Sequence, residues 1–175
     1  LAQDQLRKLE LVASTVPALG LTASIYDGDT KGSIRKKIRA LPPQVLLTNP
    51  EMLHLSFLAH HRKWASFFKR LSIVVVDEVH TYRGVMGSHM AQVFRRMRRI
   101  CARYEASPTF VFSSATVANP AELVEQLCGI RAEAVVKSGA ERGRTYTVLV
   151  DASDGPAQAA ILLLKAALHR GLRTI

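Results

Sequence analysis

Four β-branched residues in succession, Ile73-Val74-Val75-Val76, run directly into the acidic pair Asp77-Glu78. Side chains branched at Cβ crowd the turn of a helix but fit a pleated strand. A strand without polar alternation predicts burial on both faces, as in a parallel sheet covered by helices. Two adjacent carboxylates have no place in such an interior unless paired, so they mark the strand's carboxyl end. Functional groups of parallel α/β sheets collect at that end.

The rest of the chain alternates in the same way. Leu6, Leu9, Val12 and Ala13 share one face of a helix over residues 2–13, which Pro17 and Gly20 bring to a close. A strand over 21–26, the turn Asp27-Gly28-Asp29-Thr30 and a basic helix over 33–41 follow, stopped by Pro42-Pro43. A short strand over 45–47 delivers Thr48-Asn49-Pro50, and an aromatic helical stretch over 61–71 leads to the β-branched strand. Met90, Val93, Phe94, Met97, Ile100 and Cys101 form the apolar stripe of a helix over 88–104, with Arg95, Arg99 and Arg103 on a solvated face. A strand over 109–112 ends at Ser113-Ser114-Ala115-Thr116, and Asn119-Pro120 opens a helix to about residue 127. Alternating strands and helices imply an α/β fold: a mostly parallel sheet with helices on both faces.

Past Gly129 the pattern weakens to short strands over 134–136 and 146–151 and a Ser-Asp-Gly-Pro break over 153–156. The expected division is a first domain over 1–152 and the start of a second over 153–175. The almost wholly apolar helix over 157–169 calls for cover from several sides, and a strand is expected over 172–175.

Twenty-four Lys and Arg oppose fourteen Asp and Glu, a net +10 that suits a phosphate polyanion or simply keeps a chain in solution, and sign alone does not choose between the two. Residues 62–103 hold ten basic side chains, and their only acids are Asp77 and Glu78. Cys101 and Cys128 match no zinc or redox spacing, which makes a reducing cytoplasm the expected compartment. No apolar run reaches the eighteen residues of a membrane span. The first residue is Leu and no signal-peptide pattern follows, so an N-terminal truncation is expected.

A carboxylate pair at a buried strand's end suits nucleotide hydrolysis: Asp77 to hold magnesium, Glu78 to act as base toward the attacking water. Taken alone, such a pair more often caps a strand and opens a turn. A metal hydrolase built on Asp77, Glu78, His80 and His89 fits poorly, because no His-Glu-x-x-His occurs and a glycine-rich loop separates the two histidines. A nucleic-acid-binding module that hydrolyses nothing is the remaining alternative.

The motifs favour nucleotide hydrolysis, with the binding module kept as the alternative. DEVH at Asp77 to His80 resembles motif II of the superfamily 2 DEXH-box helicases, FSSAT at Phe112 to Thr116 resembles motif III, Leu1 to Leu9 resembles motif Ia, and LLTNPEMLH at Leu46 to His54 resembles motif Ib. YDGDT at Tyr26 to Thr30, the run Tyr82 to Cys101 and the run Ser113 to Gly129 resemble the YprA/MrfA-type DNA helicases within that superfamily. RecQ-like and Lhr-like helicases are neighbouring alternatives.

The resemblance implies a RecA-like motor domain that couples ATP hydrolysis to 3′ to 5′ movement on single-stranded or forked DNA, with a role in DNA repair and in concert with a second RecA-like domain of the complete chain. It implies ATP and Mg2+ at Asp77 and Glu78, with His80 linking the ATP site to motif III through Thr116. Ser114, Ala115 and Thr116 would relay the nucleotide state to the bound strand. Gln3, Gln5, Thr48 and Asn49 would hold the sugar-phosphate backbone, with Arg83 adding a charge near the cleft. One departure is plain: no G-x-x-x-x-G-K-[ST] phosphate-binding loop occurs in the 175 residues, and Lys31-Gly32-Ser33 has the wrong order. The isolated chain is therefore expected to be inactive.

Overall fold

The computed structural model describes residues 2–137, 139, 144, 146–152 and 155–173. It separates into two compact units, Leu1–Val135 and Val136–Ile175.

The first unit opens with helix α1 (Ala2–Thr15), a 3-10 turn (Pro17–Leu19) and strand β1 (Ala23–Tyr26). Helix α2 (Gly32–Ala40) crosses over to strand β2 (Val45–Thr48), which pairs with β1 in parallel from Ala23 opposite Val45 to Tyr26 opposite Thr48. A short helix α3 (Pro50–Met52) continues into a π-turn (Leu53–Leu58), a 3-10 turn (His61–Trp64) and helix α4 (Ala65–Lys69). Strand β3 (Ile73–Val76), the long helix α5 (Gly84–Arg103) and strand β4 (Thr109–Phe112) form the second crossover, with Ile73 opposite Thr109 and Val76 opposite Phe112. Helix α6 (Pro120–Cys128) completes the unit, and Gly129 ends it in the left-handed region at φ 63°.

The α/β class and the parallel pairing are as the alternation predicts. The described strands form two two-stranded sheets, β1–β2 and β3–β4, rather than one ladder. Nor is β3 buried on both faces. Val76 is buried and Val74 half-buried, while Ile73 and Val75 are 58% and 67% exposed. β-branched residues record that a strand is a strand; whether a face is covered depends on what packs against it, and only one face of β3 is packed among the described residues.

That face rests on a core of Val76, Val79, Met90, Phe94, Leu127 and Cys128, which joins β3 to α5 and α6. A second core is aromatic: Trp64 stacks on Phe57 with centroids 4.1 Å apart, and Tyr26 meets both rings edge-on. Helix α5 belongs to both cores, since Met97, Ile100 and Cys101 close the aromatic one. Its arginines divide. Arg95, Arg99 and Arg103 are exposed as expected, whereas Arg98 donates to the Cys128 and Gly129 carbonyls at 2.9 and 3.1 Å and Arg96 to that of Leu58 at 3.2 Å. Burial raises both cysteine thiols, that of Cys128 to about 12.

The second unit contains helix α7 (Pro156–His169), none of whose residues is buried. The strands expected over 134–136 and 146–151 do not form. Their Val-rich composition has no partner strand to pair with among the described residues. Leu172 and Arg173 are not in a strand, Thr174 and Ile175 lie outside the described residues, and so do Ser153 and Asp154 of the expected break.

Candidate functional site

The parallel register brings two chain ends side by side. Val76 lies opposite Phe112, so Asp77 and Ser113 leave their strands together. The ladder continues past the last paired residues, with Ser113 N–H donating to Val76 O and Val79 N–H to Ser113 O, both at 3.0 Å. The Ser113 hydroxyl donates to Asp77 Oδ1, which also accepts the Glu78 N–H at 3.0 Å.

Glu78 then turns the chain with φ 53° and ψ 40°. A non-glycine residue in this left-handed region is uncommon and costs about 1–3 kcal/mol. Its carbonyl accepts the Thr81 hydroxyl at 2.8 Å and the Thr81 N–H at 2.9 Å, which hold the turn. The Glu78 side chain stays 54% exposed.

His80 Nδ1 lies 3.2 Å from Glu78 Oε2 and 3.2 Å from the Ala115 backbone nitrogen. Motif III is thus reached through a main-chain amide. Thr116, expected to meet His80, has an exposed side chain, as has Ser114. A ring nitrogen either accepts the Ala115 N–H with its lone pair or donates a proton to the carboxylate, never both at once.

Beyond this loop Tyr82 is half-buried, and its phenol pKa is raised by burial and then by the negative charge of Asp77. Its carbonyl presses on α5: a Cβ at Gly87 would lie 2.6 Å from Tyr82 O. Arg83 precedes α5 with its side chain exposed beside an open groove of about 540 Å³, which Tyr82, Ser88, Asn119, Leu123 and Gln126 also line.

The remaining candidates lie at the end of β1–β2. Thr48 donates its hydroxyl proton to Tyr26 O at 2.7 Å, and Asn49 caps α3 by accepting the Met52 N–H on its side-chain oxygen at 2.8 Å. Both side chains therefore have internal duties. The adjoining turn is tied by Thr30 Oγ1 to Asp27 Oδ1 at 2.7 Å and by Arg35, which donates to the Asp27 and Gly28 carbonyls at 2.7 and 2.8 Å. Gln3 is exposed and Gln5 half-buried on α1, which packs against β1 and β2. Among the described residues no hydrogen bond joins Arg83 to Thr48 or Asn49, so the structure gathers the candidates into two groups, one on each sheet.

The sequence profile of the DEAD/DEAH box helicase family matches residues 1–124. The chain belongs to that family. Among helicases of known sequence it is 47% identical over 148 residues to the ATP-dependent helicase YprA of Bacillus subtilis, covering 85% of this chain and 20% of YprA. To the ATP-dependent helicase HRQ1 of Saccharomyces cerevisiae it is 39% identical, covering 85% of this chain and 14% of HRQ1. Its fold is similar to that of the DUF1998 helicase MrfA, with a TM-score of 0.87 and 42% identity over 99% of this chain and 26% of MrfA. MrfA bound to DNA and AMPPNP superposes with a TM-score of 0.76 and 47% identity over 79% of this chain and 19% of MrfA. The chain thus spans about a fifth of YprA and a quarter of MrfA.

Three residues of this segment lie within matched motifs that assign them no role of their own. Ser113 is signalled only by the doubled serine of Phe112 to Thr116, Tyr82 by its place two residues after the motif II histidine, and Gly87 by the spacing Gly84-x-x-Gly87. The Ser113–Asp77 hydrogen bond and the close approach of the Tyr82 carbonyl to Gly87 are visible only when the strand ends are brought together.

Proposed function

We propose that this segment is the hydrolytic and DNA-contacting part of the first motor domain of an ATP-dependent DNA helicase. One observation carries the reading: the Asp77–His80 loop and the end of β4 are a single hydrogen-bonded unit, in which a carboxylate pair meets the motif III main chain. The DNA- and AMPPNP-bound forms of MrfA and its 47% identity to this chain support both ligands.

Asp77 suits magnesium, because Oδ1 takes both internal donors and no donor among the described residues engages Oδ2, which leaves it for a cation or its water. When bound, the metal offsets charge on the nucleotide phosphates. Glu78, exposed and held on its turn, takes the proton of the attacking water. His80 links that carboxylate to Ala115, and Ser114 and Thr116 pass the change to the DNA side. Thr48, Asn49, Gln3 and Gln5 line the backbone of a single strand, with Arg83 adding charge.

A phosphate-binding loop and a second RecA-like domain outside these residues complete the motor, so the isolated 175-residue chain turns over negligible ATP. The boundary of the first domain lies at 152, the movement is 3′ to 5′ on single-stranded or forked DNA, and the setting is DNA repair in the cytoplasm.

The test is Glu78→Gln in the complete protein. An amide cannot accept the water's proton, so ATP binding is retained while turnover falls by about a hundredfold or more. Near-normal DNA-stimulated turnover removes Glu78 as the base.

A further inference from the structure

We infer that Ser113, immediately before the Ser-Ala-Thr of motif III, is a positioning residue that sets which oxygen of Asp77 meets the metal of the nucleotide complex. The inference deepens the reading of Asp77 as the magnesium-holding residue and rests on it.

A carboxylate on an exposed strand end is free to rotate about its terminal torsion, which is broad and roughly two-fold. Asp77 is restrained because one oxygen, Oδ1, accepts two donors from different directions: the Ser113 hydroxyl across the sheet and the Glu78 N–H along the chain. The Glu78 amide alone fixes one direction and leaves the carboxyl plane to swing. The Ser113 hydroxyl supplies the second direction, from a residue whose own position is fixed. Its N–H donates to Val76 O and its carbonyl accepts the Val79 N–H, both at 3.0 Å, one on either side of the carboxylates. With Oδ1 engaged twice, Oδ2 is the oxygen presented for ligation, and no hydrogen bond engages it among the described residues. Alanine at 113 keeps both main-chain bonds and removes only the hydroxyl. Threonine restores it.

The experiment measures magnesium dependence of nucleotide binding, apart from turnover. In the complete protein carrying Glu78→Gln to suppress hydrolysis, binding of a fluorescent ATP analogue is titrated with MgCl2 and, in parallel, in EDTA. Ser113→Ala is expected to raise the Mg2+ concentration at half-saturation by roughly three- to tenfold, the range one net hydrogen bond spans. Binding in EDTA and the thermal midpoint stay unchanged, and Ser113→Thr returns the Mg2+ dependence toward the parent. Asp77→Asn separates the two layers. If Asp77→Asn shifts the Mg2+ dependence and Ser113→Ala does not, the role of Ser113 is overturned and Asp77 keeps its own. If neither shifts it, Asp77 does not hold the metal and both readings fall. A drop in the midpoint with equal loss of binding in EDTA and Mg2+ makes Ser113 a structural residue and overturns the inference.

Discussion

Replacing Gly87 by alanine tests how the motif II loop is seated on helix α5. The new Cβ would stand 2.6 Å from the Tyr82 carbonyl oxygen and 2.9 Å from its carbon. Contacts to a real Cβ lie beyond 3.0 Å, and the atoms in the way are main chain, which has no rotamer to change. Overpacking of this kind costs about 1–3 kcal/mol, at the upper end where backbone must move. Alanine recovers about 1 kcal/mol through its helix propensity, which leaves a net loss of about 2 kcal/mol. For a domain of this size that is a fall of roughly 4–8 °C in thermal midpoint. The shift falls on Tyr82, whose N–H is bonded to Val79 O at 3.1 Å, so ATP turnover in the complete protein drops with it. Scanning fluorimetry of Gly87→Ala beside an exposed control, Gly28→Ala, decides the matter. A midpoint equal to or above the parent's would refute the close approach as the reason for glycine.

Two further outcomes concern coupling and the DNA track. Alanine at both Ser114 and Thr116 in the complete protein is expected to impair strand separation several-fold more than DNA-stimulated ATP hydrolysis; equal losses in the two assays reduce both residues to turn formers. Thr48→Ala and Arg83→Ala should each weaken binding of a labelled single strand, and only Arg83→Ala should flatten the dependence on salt, by roughly one phosphate contact. Unchanged affinity across salt titrations of both variants would move the track elsewhere, with exposed Arg95, Arg99 and Arg103 the next residues to substitute.

Patterns that repeat along one element were legible without coordinates. The stripe Met90, Phe94, Met97, Ile100 faces the core, the arginines opposite it face water, and four β-branched residues make β3. Motif spacing likewise located the carboxylates, because strand ends are local in sequence. What depends on packing between distant segments was not legible. Ile73 and Val75 look like core residues and are exposed, and the apolar helix α7 shows no buried side chain. The π-turn at Leu53–Leu58 carries Phe57 and Leu58 into the core and has no periodic signature. Thr48 and Asn49 have the chemistry of DNA contacts, yet each first satisfies a neighbour: the carbonyl of Tyr26 and the amide of Met52. The contact of His80 with the Ala115 main chain carries no sequence signal for a related reason, since every residue but proline has a backbone amide.

The equal 3.2 Å separations at His80 Nδ1 bear on how a message crosses this loop. Here the Glu78 carboxylate and the Ala115 amide meet the same nitrogen. Because that nitrogen cannot donate to the carboxylate and accept from the amide at once, the two contacts are mutually exclusive. On the function proposed for this loop, exchanging one contact for the other would link β3 to β4 without moving either strand.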